Sequence, residues 1–459
     1  MTIYILSLLV FIPKTLVGFF LIDWIWPERH WASIFLKIFA GFALGLGISS
    51  SIMLIALWIG ITPQSYAQIE FGGSIVLVSV ILFFYLRALR LQQSRIFYPE
   101  MGQIARKENL IFLLLAVAFL FSSGSFIYYS FQHPHGFSDA WTIWNNLARY
   151  IFRSNDPGLI FDTSKYYRLH FDYPVMYSLN IAWAWGVLGT DSTRIPMAFA
   201  ILTVFALPGV LWVSLSKIKG NTQGALVAIV ALMTPSMGLT VGQYSDALLA
   251  LYILLTGVFL YYYQINFDSR FLFLAGLMAG FSAWVKNEGL LFVAACGAVC
   301  FWLIIVKWKS GRHFLQFLSG VVIPLLVVCF FKVNVFSQSD LTRSPMEILT
   351  QVTDFSRYAQ IGWNYLLQVW RFGDWPISLA LVLLVYTFFA RFSPGSSRKS
   401  FFLIILVLLQ QLGYFAIYVI TPHDLQLHIH TSLTRLLLHT YSLFLFWLFV
   451  SLNSDQDST

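Results

Sequence analysis

A run of about 20 apolar residues is long enough to cross a bilayer as a helix, and this chain carries about thirteen such runs in series. They cover roughly residues 1–22, 34–60, 73–91, 109–130, 194–216, 223–242, 244–265, 270–285, 288–306, 314–336, 376–392, 400–421 and 432–452. In hydrocarbon every backbone N–H and C=O must be paired inside the protein, so segments like these fold as helices. The expected fold class is an all-α polytopic membrane protein. Composition agrees: 58% of the residues are hydrophobic and 10% charged, where a soluble domain carries about 25% charged residues. Residues 1–22 contain no small-residue cleavage site and read as a retained first helix. Cys296, Cys300 and Cys329 all fall in apolar runs, with neither a disulfide framework nor a zinc pattern.

One stretch breaks the series. Gly136 to Pro174 holds Asp139, Asp156, Asp162 and Asp172 together with Arg149, Arg153, Lys165 and Arg168. A single charge at the bilayer centre costs about 2.5–3.5 kcal/mol, so this segment lies outside the membrane. A polar loop of that length in a compact protein is more often functional than filler. The pattern Trp141, Trp144, Leu147, Ala148, Ile151 has helix spacing and predicts an amphipathic helix over 138–152, with Ser138 as N-cap.

Lys and Arg concentrate in cytoplasmic loops. The loops near 23–37, 87–107, 217–219, 270, 307–312 and 391–399 hold sixteen of the 28. Placing them inside puts the N-terminus outside and the C-terminus inside, with an odd number of spans. A fourteenth apolar segment, 174–189, then cannot cross, because Lys217 and Lys219 would move outside. It is expected to be interfacial or re-entrant. The same bases are too scattered to suggest nucleic acid.

Several polar residues at the outside ends could carry chemistry. Asp139 either complements a helix dipole or serves a site. Lys286 and Glu288 lie between two apolar runs with no room for a loop. They either close a tight turn as a pair or hold a cation ready for an anionic ligand. Asp246 opens a span, which also fits a first-turn charge. His170, Asp172 and Tyr173 precede Pro174, a helix-start signal. Arg435 lies inside an apolar run and must find an anion or polar cavity. His133/His135 and His428/His430 lack the spacing of a metal motif, and no nucleotide-binding motif is present. Trp141, Trp144, Tyr166, Tyr167 and Tyr173 suit anchoring at the interface.

An acid in the first large outside loop, an interfacial helix, then Tyr-Pro entering apolar sequence resembles the GT-C membrane glycosyltransferases. That superfamily includes the protein O-mannosyltransferases and the lipid A aminoarabinose transferases. GQYSDALLALYILL resembles its acid at the start of a span. GLMAGFSAWVKNEGLL resembles its Gly-rich helix ending in lysine, and TPHDLQLHIHTSLTRLLLH a C-terminal stretch of bacterial members. The match covers about 109–310 and 400–450. The resemblance implies three parts: accessory N-terminal helices (1–108), a catalytic core (109–310) and C-terminal helices (311–459). It implies an inverting transfer of sugar from a polyprenyl-phosphate donor to an acceptor hydroxyl on a lipid, polysaccharide or protein. The site would face the outer, periplasmic side of a bacterial inner membrane. Asp139 would be the general base, and Lys286 and Arg435 would neutralise the departing phosphate. Asp246, His170, Asp172, Tyr173, Trp141, Glu288 and His428 would line the substrates. With one well-placed carboxylate in the first loop, neither metal nor other cofactor is expected. Two departures stand out: Ala140 replaces the second acid of many members, and three extra spans precede the core. The alternatives are a transporter or flippase of lipid-linked sugars and a catalytically degenerate scaffold.

Overall fold

The computed structural model describes residues 2–91, 106–234, 241–308, 311–335, 344–373 and 377–453. Parts of the expected loop 87–107 and the end of the expected span 223–242 lie outside the described residues. Among those described, the chain is helical throughout, with one isolated β-bridge between Phe392 and Leu452.

The helices are α1 (Thr2–Leu9), α2 (Ile12–Ile25), α3 (Trp31–Trp58), α4 (Pro63–Leu91), α5 (Arg106–Gln132) and α6 (Asn145–Ser154). Next come α7 (Met176–Leu188), α8 (Arg194–Lys219), α9 (Asn221–Leu232), α10 (Asp246–Asn266), α11 (Arg270–Val285) and α12 (Glu288–Leu303). The last six are α13 (Gly311–Asn334), α14 (Pro345–Thr353), α15 (Phe355–Arg371), α16 (Leu379–Ala390), α17 (Pro394–Ile420) and α18 (Leu425–Ser451).

Ten helical segments among the described residues are long and apolar enough to cross a membrane. Each of the thirteen expected segments contains a helix, but the first is split into α1 and α2, and α9, α11 and α16 are short, at 12, 16 and 12 residues. The protein is therefore of the integral, multi-pass type. One apolar core runs from Val10 to Leu452. Its centre is α10, nearly every residue of which is buried, whereas α4 and α5 stay largely exposed at the rim. Close backbone approach through small residues, as between Gly276 on α11 and Gly320 on α13, is how helices pack where water supplies no driving force.

The connections sort to two ends. At one end Lys217 pairs with Glu28, Arg270 donates to the Ile25 carbonyl, Lys219 bonds Ser396, and Asn453 N–H meets the Arg391 carbonyl. At the other end lie the starts of α10, α12 and α18 and the loop 133–175. α7 stays at that second end: Ser178 bonds the Trp144 carbonyl, and just past α7 Asp191 pairs with Arg153 of α6. With 13 residues α7 spans about 20 Å, short of a hydrocarbon core of about 30 Å.

Candidate active site

Two turns set the site. α5 ends at Gln132, and the chain reverses through Gly136, whose φ of +74° favours glycine. A Cβ at Gly136 would meet the Gly242 carbonyl oxygen at 2.5 Å, and one at Gly242 would meet the Phe137 ring at 2.7 Å. The missing side chains let Phe137 N–H donate to Gly242 O at 3.1 Å. Gln243 completes the join, donating to the Pro134 carbonyl and accepting from Asn145 at 2.6 Å. The loop bearing Asp139 is thereby stitched to the turn that begins α10.

The expected helix forms, but its start differs. It opens with a π-helical turn, Ala140–Trp144, and Ser138 does not cap it: its hydroxyl lies 3.5 Å from that of Tyr244. Asp139 makes no cap bond either, and its carboxylate accepts from Arg435 at 2.6 Å. π turns of this kind recur at functional sites.

Asp246 is the hub. It is 1% exposed. One oxygen accepts from Lys286 Nζ at 3.0 Å and lies 2.6 Å from His439 Nε2. The other accepts from Arg435 Nε at 3.1 Å and Nη2 at 2.9 Å. Lys286 is delivered by the end of α11, where its φ of −151° leaves the helix. Its ammonium also pairs with Glu288 at 2.9 Å. The tight-turn pair therefore exists, yet Lys286 reaches beyond it. Burial favours the neutral amine, but the carboxylates of Asp246 and Glu288 outweigh it and hold the Lys286 pKa above the ordinary lysine range. The guanidinium of Arg435 lies 4.4 Å over the Tyr244 ring. Among the described residues Glu288 Oε2 is buried with no hydrogen-bond partner, an acceptor left open in the cluster.

Access is graded. Asp139 and Arg435 keep 22% and 18% of their side chains exposed, while Asp246, Lys286 and His439 lie behind them at 1%, 4% and 0%. Asp139, Asp246 and Glu288 against Lys286 and Arg435 leave one net negative charge when His439 is neutral.

A second layer flanks Lys286. Tyr173 lies 5.5 Å from its ammonium and stacks between Trp144 and His170, at 5.9 and 4.9 Å. Asp172 accepts from Asn287 at 2.6 Å, and Lys332 donates to the Asp172 carbonyl and, at 2.8 Å, to Asn287. Arg168 is buried, donating to the Tyr173 carbonyl at 2.8 Å, and burial lowers its pKa to about 10.

Of the expected residues, Asp139, Asp246, Lys286, Glu288 and Arg435 join directly. Asp172, Tyr173 and His170 form the adjoining layer. His428 bonds Thr421 and packs on Tyr418 and His423, apart from the ion pairs. Trp141 is 59% exposed, whereas Trp144 is fully buried. Sequence reasoning missed His439, which bridges Asp246 to the Tyr414 hydroxyl at 2.8 Å. Its signal was present: it follows Arg435 by four residues on α18, so both share a face. Asn287 and Lys332 were also not singled out. Among the described residues no group of three or more His, Cys, Asp or Glu side chains could hold a metal ion.

A cavity of about 550 Å³ lies between α15, α16, α17 and α18, lined by Leu437, Thr440, Phe444 and Leu448 among others. At about 100° per residue these four occupy the face of α18 opposite Arg435 and His439. No residue of the ionic cluster lines it, so it does not belong to this site.

Fold and site together define a multi-pass helical membrane protein with a buried ionic cluster, open to one end through Asp139 and Arg435. No family model, curated protein or solved structure matches the chain.

Proposed function

We propose that the protein is a membrane glycosyltransferase of GT-C type, transferring a sugar from a polyprenyl-phosphate donor to an acceptor hydroxyl at the outer face of a bacterial inner membrane. In this reading α7 is a re-entrant helix beneath the site. The observation that carries the proposal is that Lys286 and Arg435, from distant parts of the chain, converge on Asp246, while Arg435 also holds Asp139 of the outer loop. An acceptor hydroxyl needs a base it can reach, and Asp139 is the most exposed carboxylate of the three. Its carboxylate takes the hydroxyl proton as that oxygen bonds to the anomeric carbon. The bond from that carbon to the phosphate oxygen breaks, and polyprenyl phosphate leaves. Negative charge grows on the leaving oxygen, where Arg435 and Lys286 supply fixed positive charge. Asp246 and Glu288 keep both cations in place before the donor arrives. Since Arg435 also holds Asp139, a donor phosphate that engages the guanidinium releases the base. The apolar cavity on the far face of α18 lends this reading no support.

The test is turnover by purified protein with a panel of polyprenyl-phosphate sugars, following release of polyprenyl phosphate. Asp139→Asn should fold normally and lose release by at least about 100-fold. Near-normal release by that variant would remove Asp139 from the mechanism. Binding of a donor with no release by the wild type would point to a flippase or a degenerate scaffold.

A further inference from the structure

At the end of the bundle opposite the ionic cluster lies a second cavity, of about 510 Å³, between the end of α10, the end of α12 and the start of α17. Its walls are of two kinds. Trp302, Val306 and Phe401 line it, and all three are exposed on the apolar outer surface. Arg398 and Lys399, side by side in α17, supply the charged part of the polar wall, beside Ser397 and Gln264.

Several cations at this end have partners. Lys217 pairs with Glu28, Arg270 with Asp268, and Lys219 bonds Ser396. The side chains of Arg398 and Lys399 make no hydrogen bond or ion pair among the described residues. Two cations with no partner among the described residues at one rim of a cavity favour an anion there. The exposed apolar wall beside them favours a ligand with a hydrocarbon part. A free phosphate would leave that wall unused, and a zwitterionic headgroup would bring its own positive charge against the pair. Basic pockets between membrane helices are a recurring way to hold acidic headgroups.

We propose that this cavity binds an anionic glycerophospholipid, its phosphate held by Arg398 and Lys399 and an acyl chain laid against Trp302, Val306 and Phe401. Such a lipid wedges α10, α12 and α17 together at the end remote from the ionic cluster. The site is independent of the sugar-transfer reading.

The experiment is thermal unfolding of delipidated full-length protein in detergent. It is run alone and with phosphatidylglycerol, phosphatidylcholine or inorganic phosphate. The variants are Arg398→Gln/Lys399→Gln, Val306→Trp, which fills the apolar wall but keeps both charges, and Arg153→Gln/Lys165→Gln, which removes two charges at the opposite end. Phosphatidylglycerol well above its Kd should raise Tm by about 3 °C in the wild type and in the opposite-end variant. The rise should vanish in Arg398→Gln/Lys399→Gln and shrink in Val306→Trp. No rise with phosphatidylglycerol, an equal rise with phosphatidylcholine, or a rise retained by Arg398→Gln/Lys399→Gln would overturn the proposal. An equal rise with inorganic phosphate would overturn it as well, by showing a simple anion site.

Discussion

The guanidinium of Arg435 lies 2.6 Å from the carboxylate of Asp139, joining residues 296 positions apart. The same guanidinium makes two bonds to Asp246. One side chain thus ties the outer loop to the central helix.

Arg435→Gln should therefore cost stability and turnover together. Asp246 keeps Lys286 and His439, so the loss should be about 2–4 kcal/mol, toward the low side of breaking a buried pair. Turnover should fall at least about 100-fold, as for loss of one charge-stabilising donor. Arg435→Lys should recover little of it, because an ammonium lacks the planar fork that serves two carboxylates. Tm and polyprenyl-phosphate release check this. Full rescue by lysine would show that charge alone suffices.

The glycines at the loop junction make a different test. Gly136→Ala forces a Cβ into the Gly242 carbonyl at positive φ. It should cost about 1–3 kcal/mol and displace Asp139. Gly297→Ala on α12 meets nothing within 4 Å and should be neutral or gain up to about 1 kcal/mol of helix propensity. Unfolding curves of the two variants give the comparison. Equal effects would remove the steric account of the junction.

His439 acts through Asp246 and is a positioning residue. Tyr414→Phe removes a hydroxyl that His439 and Gln410 both contact and should cost about 1–2 kcal/mol. His439→Phe leaves Asp246 short of one partner in a fully buried place and should cost more. If His439 only fills space, His439→Phe should keep the wild-type dependence of turnover on pH. If it orients Asp246, that dependence should change.

Lys286 gives a prediction with a sign. Its pKa is raised in the folded protein, burial being outweighed by Asp246 and Glu288. A raised cation contributes stability that is complete below its unfolded value, about 10.4, and is lost only as pH climbs through the folded value. The Tm difference between wild type and Lys286→Gln should hold constant from about pH 6 to about pH 10. A gap that closes by about pH 9 would mean that Lys286 loses its proton too easily for this role.

Much of the architecture was local and so legible. Apolar runs bury their backbone as helices whatever surrounds them, and each expected segment contains a helix. The basic loops 23–37, 217–219, 270 and 391–399 identified each other because like loops gather at one end. The polar character of Asp139, Asp246, Lys286, Glu288 and Arg435 was visible because a charge in apolar sequence needs a partner. What the residues could not reveal was the partner. Asp139 suited a helix dipole as well as a site, and Lys286 suited a turn with Glu288 as well as a cation held for an anionic ligand. Three-dimensional packing supplied the partners, through Gly136 and Gly242, which let their two turns touch, and through α18, which carries Arg435 and His439 to the head of α10. Helix formation depends on neighbours in sequence. Charge pairing depends on which helices touch, and that is set by the fit of whole surfaces.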